Sequence, residues 1–134
     1  MSFILTDNIK ELISKQGVFS FATSSKTGVP NVVPIGMLML RDDGSIWVID
    51  NFMNKTLANL KENPIASFFL WNPETKDSFQ IKGKVEIICS GPEYEEAKII
   101  AHKKKETLPA KNLLKFNVCD VYYTTPGPNA GKKI

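Results

Sequence analysis

The chain has 134 residues, 43% of them apolar and 23% charged, and a net charge of +3. These are the values of one ordinary globular domain, 1–134, which buries a full core; they exclude disorder and a division into two cores. The positive charge is spread over lysines and a single arginine, Arg41, with no basic stripe interleaved with aromatics, so a small acidic ligand fits better than nucleic acid.

Cys89 and Cys119 fall in two strand-like runs without a CxxC pair, and no His/Cys cluster surrounds the only histidine, His102. No metal site is expected, and both cysteines read as buried thiols in a reducing compartment. Met1-Ser2-Phe3-Ile4-Leu5 has neither a cationic region nor the apolar length of a signal peptide or a membrane span. The expected location is cytoplasmic.

Thr6 or Asp7 is placed to cap a first helix, Asn8 and Glu11 have capping-box spacing, and Ile9, Leu12 and Ile13 share a helical face until Gly17. Residues 18–23 read as a strand, Ser24-Ser25-Lys26-Thr27-Gly28 as a turn, and residues 30–40 as a second strand. Pro30 and Pro34 cannot donate to a ladder, so that strand lies at an edge or is interrupted near Pro34. Asp42-Asp43-Gly44 closes a hairpin into residues 45–49, where Ile46-Trp47-Val48-Ile49 is the continuous apolar run of a buried strand.

A helix over residues 54–62 ends at Asn63-Pro64, because a residue before proline is pushed out of the helical region. Residues 65–71 form a fourth strand. Residues 78–89 alternate, with Phe79, Ile81, Val85 and Ile87 on one face and Gln80, Lys82, Lys84 and Glu86 on the other. Gly83 breaks the apolar row and predicts a bulge or a close backbone approach. Ser90-Gly91-Pro92-Glu93 starts a third helix to about residue 106. Residues 113–125 are the last strand, and the tail 126–134 either frays or folds over a ligand.

The start of the second helix carries the chemistry. Unpaired backbone N–H groups point outward from its first turn, and the helix dipole places partial positive charge there. Lys55 adds a full charge and Thr56 a hydroxyl, so a phosphate monoester would meet three kinds of donor at once. An ordinary helix start with a solvated lysine is the alternative. The succession of strands in hairpins predicts a mainly β fold: a six-stranded antiparallel barrel with peripheral helices. Such a barrel encloses only side chains, so a ligand sits outside it or at a subunit boundary.

Four blocks resemble the FMN-binding split barrel family, which includes pyridoxamine 5'-phosphate oxidase and small FMN-binding proteins of anaerobic bacteria. They are Ala22-Thr23 with Gly28-Val29-Pro30-Asn31-Val32-Val33-Pro34, Asn54-Lys55-Thr56-Leu57-Ala58-Asn59-Leu60 with Asn63-Pro64, Ser78-Phe79-Gln80-Ile81-Lys82-Gly83-Lys84-Val85, and Ser90-Gly91-Pro92-Glu93-Tyr94-Glu95. The resemblance implies a homodimer with FMN at the subunit interface. It implies that Lys55 and Thr56 hold the phosphate, that Ile49, Asp50 and Asn51 lie along the ribityl chain, and that Val33, Pro34, Ile35 and Gly36 offer backbone groups to the ring. Gln80 stands near a position where the oxidase uses a glutamine across the dimer, with a spacing to Gly83 that differs by two residues; a solvated strand residue is the alternative.

The oxidase holds its substrate with C-terminal arginine and histidine groups that this chain lacks, so pyridoxamine phosphate oxidation is not expected. Where Lys55 stands, the oxidase has an arginine, and one bidentate phosphate contact becomes a point charge. Trp47 reads as core, and Trp71, at a strand end, as core or as a flavin contact. His102 and the lysines after it read as solvated, with a docking patch for an acidic redox partner as the lysines' other reading. The expected function is electron or hydride transfer by bound FMN, with no catalytic side chain. The alternatives are an FMN carrier or sensor without turnover, or the same barrel holding F420 or haem.

Overall fold

The computed structural model describes residues 5–134, so Met1-Ser2-Phe3-Ile4 of the N-terminal reading lies outside it. The elements run α1 (Asp7–Lys15), β1 (Phe19–Ser24), β2 (Pro30–Ile35), β3 (Leu38–Leu40), β4 (Ile46–Asp50), α2 (Lys55–Glu62), β5 (Ile65–Trp71), β6 (Ser78–Ile88), α3 (Pro92–Lys104) and β7 (Asn112–Tyr123). All strand pairs are antiparallel, in the order β2-β1-β5-β6-β7-β4-β3. The two outermost strands of this sheet, β2 and β3, are separated in sequence only by Gly36 and Met37. Three Cα–Cα steps from Ile35 to Leu38 span about 11 Å at most, so the sheet must curl until its two edges nearly meet. The mainly β, split-barrel expectation is met, with seven strands in place of six.

The extra strand comes from the break in the 30–40 run, which falls at Gly36–Met37 and not at Pro34. The Ser25 N–H donates to the Val29 carbonyl at the base of the β1–β2 hairpin. Hydrogen-bonded pairs then recur every second residue, at Thr23–Asn31, Phe21–Val33 and Phe19–Ile35. Pro30, Val32 and Pro34 therefore turn their backbone groups away from β1, where a missing N–H costs nothing. The prolines mark an edge and do not interrupt it.

The curled sheet encloses the main core, in which Phe19, Phe68, Phe21 and Phe116 meet in edge-to-face contacts. Gly83 sits where the β6–β7 register shifts, and a Cβ there would lie 2.5 Å from both the Asn117 carbonyl oxygen and a Phe116 ring carbon. The bulge and the close approach are the same feature. The residue left over opposite it is Cys119, on the outer face of β7 while Phe116 and Val118 face the core. Both cysteines are free and exposed, which corrects the expectation of buried thiols: Cys89 follows the end of β6, beyond the core.

Trp47 and Ile49 of β4 face the other way from Ile46 and Val48, onto Ala97 and Ala101 of α3 in a second, smaller core. That is why all five residues of β4 are buried. Thr6 caps α1, while Asn8 and Glu11 form no box and Glu11 pairs with Lys15 instead. α3 is capped by Gly91 without side-chain help, so Ser90 has no capping role, and Pro92 fills the first turn. The tail does not fray. It pairs with β7 through the Tyr122–Lys133 bridge and the Ile134 N–H to Val121 carbonyl bond. No helix among the described residues is long and apolar enough to cross a membrane.

Candidate functional site

The split between β2 and β3 opens into a cleft of about 870 Å³. Its floor is the free edge of β2, from Asn31 to Gly36, followed by Met37. One wall is Ile49 at the end of β4 with the turn Asn51–Asn54 and the first residues of α2, Lys55 and Thr56. Lys104, Lys105 and Leu108, at the end of α3 and just after it, close the far side. The cleft is lined mainly by apolar side chains, and no lining residue is acidic. Three lysines without a lining carboxylate make it a place for an anion.

The α2 end supplies directed donors. Asn54 occupies the N-cap position, but its side chain makes no capping bond, and the N–H groups of Lys55, Thr56 and Leu57 have no partner among the described residues. The first bond of the helix is Ala58 N–H to the Asn54 carbonyl, 3.0 Å. Thr56 is 1% exposed, and its Oγ1 accepts a 3.0 Å bond from Asn31 Nδ2. Along the floor, Val33 and Ile35 spend their backbone groups on β1. The Pro34 carbonyl and both backbone groups of Gly36 remain unpaired among the described residues.

Val33, Pro34, Ile35, Gly36, Ile49, Asn51, Lys55 and Thr56 thus come together around one cleft. Asp50 does not. It is fully buried, its Oδ1 accepting the Met53 N–H at 2.9 Å and its Oδ2 the Asn112 Nδ2 at 2.8 Å. It shapes the 51–54 turn from beneath and presents no atom to the cleft. Asn51 is partly committed as well, since its Oδ1 accepts the Ala110 N–H at 3.0 Å. Gln80 and Trp71 lie outside the cleft. Gln80 pairs across strands with Phe69, and the exposed Trp71 ring packs against the Lys76 ammonium at 5.2 Å. His102 is half-buried, with Nε2 2.9 Å from the Leu108 carbonyl, so it holds the Leu108 turn rather than floating in solvent.

Sequence reasoning missed Phe52, which is 77% exposed beside the cleft, and Lys104 and Lys105. An exposed phenylalanine in a polar turn was the available signal for the first. The lysines come near only because α3 folds back over β4 and β7, which no local pattern encodes.

A family profile for pyridoxamine 5'-phosphate oxidase matches residues 5–125. The chain belongs to that family. An uncharacterized protein of Methanocaldococcus jannaschii is 35% identical over 133 residues, covering 97% of this chain and 87% of its own length. Among solved structures, HupZ of Group A Streptococcus is 26% identical, covers 96% of this chain and 100% of its own, and superposes with a TM-score of 0.81. An FMN-binding protein from Syntrophomonas wolfei shares the fold at 20% identity and a TM-score of 0.72, over 84% of this chain and 80% of its own. The fold is also that of HutZ, the heme storage protein of Vibrio cholerae, and of an F420 reductase, at 16% and 13% identity and TM-scores of 0.69 and 0.67. Among these solved structures, then, one fold accompanies different cofactor names, and this chain's own cleft must carry the choice.

Proposed function

We propose that this member of the family is a cytoplasmic, homodimeric FMN flavoprotein that transfers electrons or hydride. The observation that carries the reading is the uncapped start of α2, which leaves three N–H groups, the Lys55 ammonium and the Thr56 hydroxyl at one end of an otherwise apolar cleft. That donor set suits a phosphate monoester, and the free carbonyl and N–H groups at Pro34 and Gly36 suit the polar edge of a planar ring. From Asn31 to Gly36 the floor runs about 17 Å, at ~3.3 Å per residue, room for an extended ribityl phosphate and its ring. The volume lies within the range of cofactor sites, about 300–1,000 Å³.

Bound flavin supplies the redox chemistry. The chain's residues hold and orient it: α2 fixes the phosphate, β2 the ring edge, and Phe52 shields one side from water. No histidine, cysteine or carboxylate lines the cleft, so no side chain is assigned a proton-transfer step. Arg41 lies over the Trp47 ring and pairs with Glu96, away from the cleft. Nothing in the cleft therefore reproduces an arginine clamp for pyridoxamine phosphate. Lys104 and Lys105 favour an acidic electron donor or partner protein.

The homodimer reading rests on an uncovered apolar face. Val32 of β2 and Ile65, Phe69 and Trp71 of β5 are exposed on the outside of the sheet, and Gln80 shares that face. Val32 and Pro34 also line the cleft, so a second copy seated there would wall it and bring its own Gln80 and Trp71 toward the ligand.

The same anion site would accept the phosphate of a deazaflavin. Haem is disfavoured because the single histidine already spends Nε2 on Leu108. The visible spectrum of the purified protein separates these: a two-band yellow spectrum supports flavin, a single deazaflavin band or a Soret band overturns it. The decisive titration compares FMN with riboflavin on Lys55→Ala/Thr56→Ala. Charge-assisted bonds to phosphate contribute about 1.5–3 kcal/mol each, so FMN affinity should fall at least a hundredfold while riboflavin stays within about threefold. Equal losses would sink the assignment.

A further inference from the structure

Thr56 does not act alone at the phosphate end. Asn31 Nδ2 donates to Thr56 Oγ1 at 3.0 Å and to Thr23 Oγ1 at 3.1 Å. Asn59 Nδ2 donates to the same Thr23 oxygen at 3.1 Å. Thr23 and Thr56 are 5% and 1% exposed, so these bonds are made away from water. A hydroxyl has one proton to give and lone pairs to receive with. With the Asn31 amide on one lone pair, and no bond in which Thr56 donates among the described residues, its proton is left for the cleft it lines.

We propose that Asn31 is a positioning residue that sets Thr56 as a donor, and that the Asn59–Thr23–Asn31–Thr56 chain tunes the site for an acceptor-only ligand, a phosphate dianion. The donors converging there are the N–H groups of Lys55, Thr56 and Leu57, the Lys55 ammonium and the Thr56 hydroxyl. A monoanionic phosphate carries a proton that finds no acceptor among them. A dianion has none, and the second phosphate ionisation lies near pH 6. A buried polar network fixes such a direction because reversing one member leaves another unsatisfied. Thr23 of β1, Asn31 of β2 and Asn59 and Thr56 of α2 meet only through the tertiary fold, and Asn31 sits between the exposed Pro30 and Val32 on the edge strand.

This rests on the flavin reading, and the test separates the two. Dissociation constants of FMN and riboflavin are measured from pH 5 to pH 8 by flavin fluorescence quenching, for wild type, Asn31→Ala, Asn59→Ala and Thr56→Ser. Wild type should prefer FMN, with the preference growing about tenfold as pH rises through 6. Asn31→Ala should lose five- to tenfold of that preference and flatten its pH profile, with riboflavin affinity within about twofold. Asn59→Ala should show a smaller loss in the same direction, and Thr56→Ser should retain the wild-type profile. If Asn31→Ala keeps or increases the preference, the amide was competing for the Thr56 proton and the inference is overturned. If wild type binds FMN no more tightly than riboflavin, it is the phosphate assignment itself that fails, and the inference with it.

Discussion

Gly83 shows how a single residue can be fixed by its neighbours' backbone. Its missing Cβ leaves room for the Asn117 carbonyl oxygen and the Phe116 ring, and no flexible side chain tip is available to move aside for the carbonyl. Overpacking in a close-packed interior costs about 1–3 kcal/mol, occasionally more. Gly83→Ala should therefore lose about 3 kcal/mol or more in urea unfolding. Gly17→Ala is the control, because nothing lies within 4 Å of its added Cβ and the change should stay within about 0.5 kcal/mol. A small effect at Gly83 would show that the bulge relaxes and that the β6–β7 register is softer than its geometry implies. The residue scale also separates Asp50 from its neighbours. A carboxylate at a strand end looks like a ligand contact in sequence, yet its two acceptors are taken by Met53 and Asn112, and only folding reveals that partner 62 residues away.

At the scale of elements, the β3–β4 hairpin and the start of α3 are tied by charge. Asp43 accepts from the Ser45 hydroxyl at 2.6 Å and the Ser45 N–H at 2.9 Å, which, with Lys115 and Arg41 nearby, hold its carboxyl below the usual range. Glu93, bonded to Lys115 at 3.0 Å, raises the lysine above its ordinary value, with Asp43 and Glu86 adding to the effect. The Asp43 contribution is complete above the unfolded carboxylate value of ~3.9 and is lost as pH falls through its lower folded value. The Lys115 contribution is complete below the unfolded lysine value of ~10.4 and is lost as pH rises through its raised folded value. Asp43→Ala should cost about 1 kcal/mol at pH 7, by the usual worth of the lost turn bonds, and should abolish part of the acid-side slope in thermal unfolding. An unchanged slope below pH 4 would mean that the turn is held by Gly44 and the backbone alone.

For the whole molecule, the question is what covers the sheet face that carries Val32, Ile65, Phe69 and Trp71. If a second copy does, and if the flavin touches both chains, ligand binding favours the dimer by mass action. Sedimentation across a dilution series should then show the FMN-free protein dissociating at higher concentration than the FMN-bound protein. Phe69→Lys, which places a charge in the middle of that face without touching the core, should shift the protein to monomer and weaken FMN together. An identical dimerisation constant with and without FMN would place the cofactor within one subunit.

The sequence by itself determined most of the elements and the donor chemistry of the α2 start. Alternation, proline and glycine positions are local signals, and a helix N-terminus with Lys55 and Thr56 is a donor site wherever it is carried. What only the tertiary structure decided depends on contacts between distant residues. The strand of residues 30–40 parts at Gly36–Met37 because its two halves pair with different strands, β1 and β4, at opposite ends of one sheet. Cys119 is exposed because Phe116 and Val118 take the core face of its strand, which leaves it on the outer one. Lys104 and Lys105 reach the cleft because α3 packs Ala97 and Ala101 onto Trp47 and Ile49. A chain's local pattern states which face of an element is apolar. Which other element meets that face, and so which charges converge on one cleft, is set by the packing of the whole core.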